Sequence, residues 1–154
     1  MAPFGLVHSL SRQDCDLTQL TQIREIVRQL RPDIIVNASA YTAVDKAESE
    51  PQIAYLINAT VPSVLAEEAA SIGALLVHYS TDYVFDGTAS TPYKEEDKIS
   101  PVNIYGASKL RGEEMVLNNN SSSIIIRTSW VFSSFGNNFV KTMLRLLKEK
   151  ENIK

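Results

Sequence analysis

Tyr105 and Lys109 stand four residues apart, so a helix would carry both on one face, and Thr81 closes the run Val77-His78-Tyr79-Ser80-Thr81, which reads as a strand. A phenol, an ammonium and a hydroxyl placed this way can move one proton beside a carbonyl. Free tyrosine titrates near ~10, and a neighbouring Lys109 charge is expected to favour the phenolate and lower that value, which makes Tyr105 a usable general acid. When hydride reaches a carbonyl carbon, negative charge grows on the oxygen. Tyr105 would protonate it while Thr81 holds a hydrogen bond to the same atom. Lys109 would also reach the ribose hydroxyls of a nicotinamide cofactor. A bare Tyr-x-x-x-Lys is common in helices, and it is the strand ending in Thr81 that gives this one weight.

Those side chains need a scaffold, and the chain alternates strand-like runs with helical periods. Leu6-Val7-His8-Ser9-Leu10 reads as a short strand, and Leu17, Leu20, Ile23, Val27 and Leu30 form an apolar helical face stopped by Pro32. Asp33 to Asn37 follows as a buried strand, Pro51 to about Ile72 as a helix ending at Gly73, and Ala74 to Tyr79 as a second buried strand. Asn103 to Leu117 is predicted helical, Ile124 to Arg127 a strand, and Asn138 to about Lys150 an amphipathic helix, giving four βα units. Continuous apolar strands between helices predict an α/β fold, a doubly wound parallel sheet of Rossmann type covered on both faces. Ligands then bind at the carboxyl ends of the strands. Here those ends are Asn37-Ala38-Ser39-Ala40-Tyr41-Thr42, Ser80-Thr81-Asp82-Tyr83 and Thr128-Ser129-Trp130. The small residues after Asn37 suit either close approach of a flat ligand or a tight turn.

Composition narrows the partners. The chain has 154 residues, 44% of them hydrophobic and 21% charged, which is the size and makeup of one globular domain. A net charge of −3 with scattered Lys and Arg gives no cue for nucleic acid or an anionic membrane. No apolar run approaches a membrane span, and Met1 to Gly5 carries no charged leader, so a cytoplasmic location is expected. The single Cys15 excludes an internal disulfide, is expected to be a packing residue, and leaves no Cys/His metal pattern. His8 and His78 read as strand residues held in the sheet, and Asp45 to Glu50 as a solvated helix start or loop. Asn118 to Ser123 reads as a polar surface connection.

Four stretches together resemble the dTDP-4-dehydrorhamnose reductase family of the extended short-chain dehydrogenase/reductase superfamily. They are Asn37 to Pro51 with its Thr-Ala-Val-Asp-Lys-Ala-Glu core, Tyr79 to Gly87, Tyr105-Gly106-Ala107-Ser108-Lys109, and Arg127-Thr128-Ser129-Trp130-Val131-Phe132. The resemblance implies reduction by NADPH or NADH of the 4-keto group of a dTDP-linked deoxysugar, giving dTDP-L-rhamnose for cell-surface polysaccharide. It implies Tyr105 as proton donor, Lys109 as its partner and Thr81 as the tuning hydroxyl. Asp82 and Trp130 match substrate-binding positions. Asp16-Leu17 and the Ala38, Ala40, Tyr41 and Thr42 stretch match cofactor-binding ones, with Asp16 able to accept from the adenine amino group. A nucleotide-sugar substrate and a homodimer are compatible with it.

The departures also carry expectations. The family opens with a glycine-rich turn whose N–H groups hold the cofactor pyrophosphate, whereas the glycines here, at 5, 73, 87, 106, 112 and 136, form no such fingerprint. The chain is therefore expected to be a partial Rossmann domain over 1–154, an internal fragment that starts at the second strand and lacks the C-terminal substrate domain. The family's magnesium-binding acids have no counterpart, so magnesium belongs to a full-length parent only. Arg12, after the first apolar run, suits a 2′-phosphate and hence NADPH, or is a solvated loop residue. Two alternatives remain at this point: a non-catalytic regulatory subunit of the methionine adenosyltransferase β type, and a nucleotide-sugar epimerase or dehydratase.

Overall fold

A computed structural model describes residues 5–149. Its centre is a three-stranded parallel sheet in the order β1 (Ile34–Asn37), β2 (Leu75–Thr81), β3 (Ser123–Thr128). Register aligns Asn37 with His78, and Ser80 and Thr81 with Arg127 and Thr128, so the carboxyl ends open at one rim. Helix α1 (Leu20–Leu30) precedes β1. The short helices α2 (Val44–Ala47) and α3 (Pro51–Tyr55), a π-helical turn (Leu56–Thr60) and α4 (Val61–Ile72) lie between β1 and β2. α5 (Ile104–Asn119) joins β2 to β3, and α6 (Phe139–Glu149) follows.

Local chemistry explains the boundaries. Arg31 adopts a left-handed conformation (φ 42°) whose N–H closes on the Val27 carbonyl, and Pro32 then forbids a further turn. Gly73 ends α4 in the same way with φ 72°, a conformation that glycine adopts without Cβ strain. Asn103 caps α5 by accepting the Gly106 N–H at 2.7 Å. Within the long helical run, Pro62 has no N–H for the Asn58 carbonyl four residues earlier, and the π-turn sits at that point.

The core lies between the sheet and the helices on one side. Leu76 of β2 packs there with Ile23 and Val27 of α1, Val61, Val64 and Ala69 of α4, and Val116 of α5. Cys15 is a buried member of that cluster, as expected of a packing residue. α1 is clamped to α4 by Arg24 and Arg28, which both bind the buried Glu68 carboxylate at 2.6–2.8 Å. α5 approaches closer than side chains would allow. A Cβ at Gly106 would overlap the Tyr83 carbonyl, and one at Gly112 the Asn58 carbonyl.

Three expectations change. Leu6 to Leu10 is not a strand but an exposed segment with no ladder partner, and His8 is exposed with it; the alternation of residue types does not make a strand without a paired edge. The described chain consequently has three βα units, not four. Among the described residues only one face of the sheet is covered: Ile34 (55% exposed), Val36, Tyr79, Ile124 (47%) and Ile126 line the other. α6 ends at the limit of the described residues, with Lys150 beyond it, and none of its described side chains is buried.

The Gly112 contact is testable. Gly112→Ala forces backbone against backbone and is expected to destabilise the fold by about 1–3 kcal/mol, read from urea unfolding midpoints at unchanged m-value.

Candidate active site

β2, the one-turn 3₁₀ segment Asp82–Val84 and the first two turns of α5 build the site. Thr81 is buried at the strand end; its hydroxyl accepts the Tyr83 N–H and donates to Asp82 Oδ1, both at 3.2 Å. Tyr105, half-buried in the first turn of α5, meets the Tyr83 ring edge-on at 5.5 Å. Lys109, one turn further, is 2% exposed, and its Nζ donates to the Tyr79 carbonyl at 2.6 Å. The expected trio therefore converges on the carboxyl end of β2.

The electrostatics differ from the expectation in one respect. Burial raises the Tyr105 phenol above its ordinary value, the Thr81 hydroxyl opposes that rise, and the carboxylate of Asp82 adds to it. Lys109 is not what lowers the phenol: its ammonium is turned to the Tyr79 carbonyl, and burial brings its own value down to about 8, against the opposing pull of Glu113. Tyr105 is thus held protonated, which suits a proton donor.

Around this trio the structure adds residues that the sequence did not single out. Asn58 of the π-turn accepts the Tyr41 N–H (2.8 Å) and donates to the Tyr41 carbonyl (3.1 Å) and to Ser108 Oγ (3.0 Å). Ser108 in turn donates to the Tyr105 carbonyl at 2.8 Å, so the loop after β1 is tied to the turn that carries the phenol. Pro62 inside a helical run was the available signal. Glu48 accepts the Ile104 N–H at 2.7 Å, and Glu50 accepts the Tyr41 phenol at 2.7 Å, so the Asp45 to Glu50 segment is not merely solvated. His78, fully buried, receives the Asn37 amide on Nδ1 at 3.0 Å, and Asn37 Oδ1 takes the Ser39 N–H and hydroxyl at 3.2 and 2.6 Å.

The remaining expected residues fall less tightly together. Ala38 and Thr42 are exposed and Ala40 is half-buried, leaving small side chains at the mouth of β1. Asp82 Oδ2 accepts Ser129 Oγ at 2.7 Å, which joins the ends of β2 and β3. Trp130 is 71% exposed, carries a left-handed backbone (φ 48°) and packs edge-on to Phe139 at 4.9 Å, away from any bond to Asp82. Arg12 is exposed; Asp16 accepts the Thr18 N–H and hydroxyl at 3.0 and 2.9 Å, and Leu17 packs against the core. No hydrogen bond or ion pair among the described residues joins Arg12 or Asp16 to the loop after β1. No group of three His, Cys, Asp or Glu among them could hold a metal ion, and none of their helices is long and apolar enough to cross a membrane. For a nicotinamide ribose the donor set fits: the Lys109 ammonium has protons left after one carbonyl, and the small residues at β1 leave room. For a pyrophosphate no glycine-rich cradle exists in the 154 residues.

Residues 4–154 match the family described as RmlD substrate binding domain. The chain is 51% identical to the dTDP-4-dehydrorhamnose reductase of Salmonella typhimurium over 99% of its own length and 52% of that protein. It is 49% identical to that of Burkholderia thailandensis over 100% of its length and 52% of that protein. It thus spans about half the length of these curated relatives. The crystal structure of the Bacillus anthracis reductase in complex with NADP superposes with a TM-score of 0.91 at 44% identity, covering 95% of this chain and 52% of that one.

The buried histidine gives a pH prediction. Burial, then the Lys109 charge, depress His78 from 6.5 to about 3, so it stays neutral in the fold while the unfolded chain takes up a proton below 6.5. Its contribution to stability is therefore present above pH 6.5 and lost as pH falls toward 3, by an amount on the order of a few kcal/mol. Comparing unfolding free energies at pH 7 and pH 4 should show a smaller drop for His78→Gln than for the unsubstituted protein.

Proposed function

The chain belongs to the RmlD substrate binding domain family, and on that premise we propose that it supplies the proton-donating half of a dTDP-4-dehydrorhamnose reductase. The observation that carries this reading is the convergence of Thr81, Tyr105 and Lys109 at the carboxyl end of β2. The curated relatives named above carry the reductase name, which favours it over a regulatory subunit or an epimerase.

NADPH or NADH, when bound, would supply the hydride for the 4-keto carbon. Everything else falls to side chains. Tyr105 donates its phenolic proton to the oxygen on which charge develops, and Thr81 steadies that oxygen with a second hydrogen bond. Lys109 keeps a positive charge beneath them and offers its free protons to the ribose. Asp82, held by Ser129 and Thr81, presents a carboxylate to the sugar hydroxyls, and Trp130 offers an apolar wall. Ala38, Ala40, Tyr41 and Thr42 would hold the cofactor, and Asp16 and Leu17 its adenine. The pyrophosphate cradle and a sugar-binding domain come from outside these 154 residues, and the product feeds polysaccharide synthesis in the cytoplasm, the protein acting alone or as a homodimer.

In the full-length protein, Tyr105→Phe removes one oxygen and keeps the ring, so kcat for dTDP-4-dehydrorhamnose should fall by ~10²–10⁴ while sugar binding holds. Lys109→Met should lower turnover and cofactor affinity together, and Thr81→Val should cost less than either. Normal kcat in Tyr105→Phe across pH would sink the assignment of the proton donor. Arg12 is proposed to favour the 2′-phosphate. Steady-state kinetics with both cofactors should show an NADPH preference that Arg12→Ala weakens; an NADH preference indifferent to that change removes Arg12 from the site.

A further inference from the structure

Tyr105, Lys109 and Glu113 follow one another at four-residue spacing along α5, and each turn is fastened to a different part of the fold. Glu48, which accepts the Ile104 N–H, fixes the first turn to the segment after α2, and the Lys109 bond to the Tyr79 carbonyl fixes the second to β2. The third is fixed to β3: Arg127 Nε and an Nη donate to the two Glu113 carboxylate oxygens at 2.9 and 2.7 Å, a bidentate pair with Glu113 5% exposed. The guanidinium also lies 5.1 Å from the centre of the Phe85 ring, and Phe85 stacks on Tyr93 at 4.3 Å. Phe85 immediately follows the 3₁₀ turn that Thr81 caps, so this one cluster touches α5, β3 and the segment leaving β2.

Stability alone does not account for such a pair. Burying two charges costs nearly what their attraction returns, and apolar residues of similar volume hold a helix to a strand as well. What an apolar pair cannot supply is a bidentate geometry that fixes the helix's rotation, and a negative charge one turn from Lys109. We propose that Glu113 and Arg127 are positioning residues of the reductase site: the pair sets the rotation of α5 on the sheet so that Tyr105 and Lys109 face the end of β2, and it stands one helical turn from Lys109. The inference rests on the reading above for the reaction, but concerns residues that touch neither substrate nor cofactor.

The charge balance at Lys109 supports it. Burial drives that ammonium toward neutrality, and Glu113 is the group that opposes this. The other titratable groups around it are His78 on β2, neutral above pH ~3; Tyr105 on the same helix, kept protonated; Asp82, which acts on Tyr105; and Arg127 on β3, occupied by Glu113. Without the Glu113 charge Lys109 should lose its proton at lower pH.

The test compares Glu113→Gln, Glu113→Asp and the apolar double variant Glu113→Leu/Arg127→Met in the full-length protein. Two pH series are measured, kcat for dTDP-4-dehydrorhamnose and NADPH affinity by fluorescence titration. Glu113→Gln should lose about tenfold in kcat at neutral pH with the sugar KM within about twofold, and the alkaline limb of both series should move to lower pH. Glu113→Asp keeps the charge and should return the limb toward its original place. The double variant, which keeps the helix packed, should show the same downward movement as Glu113→Gln. A double variant that melts within a few degrees of the parent with both limbs unmoved overturns the proposal, as does a Glu113→Gln that loses turnover with no movement of either limb. A parent that binds NADPH but leaves the sugar unreduced sinks the reductase reading instead, and the NADPH series still decides the role of Glu113.

Discussion

A buried ammonium is the constraint on which this site rests. Lys109 is 2% exposed and is held by one backbone carbonyl, so its charge survives only because the surroundings are fixed to tolerate it. To reach the Tyr79 carbonyl, α5 must lie almost on the backbone of the 3₁₀ segment after β2 and of the π-turn. That is why its two contact points are glycines, Gly106 under Tyr83 and Gly112 against Asn58. The same closeness puts Tyr105 beside Thr81. Position of the helix, charge on the lysine and protonation of the phenol are therefore one problem with one packing solution.

How much of this could be read from the sequence follows from the range of each interaction. Tyr105 and Lys109 were legible because helical spacing is local, and Thr81 because it ends an apolar strand. The stops at Pro32 and Gly73 were legible for the same reason. Glu48 capping α5, Asn58 bridging to Tyr41 and Ser108, and Glu113 gripping Arg127 were not. Their partners lie elsewhere in the chain, and nothing in a Glu or an Asn on its own marks the partner it will meet. The reading of Leu6 to Leu10 failed in the opposite direction: its residue types are strand-like, but a strand exists only where another backbone completes its hydrogen bonds. The lowered phenol expected from Lys109 failed because spacing gives the face a residue shares, not the direction in which its terminal atom points.

The uncovered side of the sheet follows the same logic. Parallel strands alternate their side chains between two faces, and here both faces are aliphatic: Leu76 and Ile125 pack under the helices, while Ile34, Val36, Ile124 and Ile126 have no cover among the described residues. Among the described residues β1 also presents one backbone edge without a partner. A chain that spans about half of its curated relatives carries a sheet whose chemistry calls for layers on both sides. The site itself lies on the rim of that sheet, and polar contacts tie it to β2, β3, the π-turn and the segment after α2.

The interior of β2 shows how such a rim is kept in order. His78 sits between Leu76 and Ser80 on the covered face, an expensive place for an imidazole, and it accepts the Asn37 amide across the β1–β2 ladder. Asn37 spends its oxygen on Ser39, so the turn that begins the Ala38 to Thr42 stretch is set by a side chain buried in the neighbouring strand. From the other side, Asn58 fixes Tyr41 and Ser108 together. The loop at β1 is thus held from two sides, to β2 through Asn37 and His78 and to α5 through Asn58 and Ser108. A cofactor lying between that loop and α5 would meet walls already held at their spacing, and most of the cost of orienting its reacting end against Tyr105 would have been met in folding.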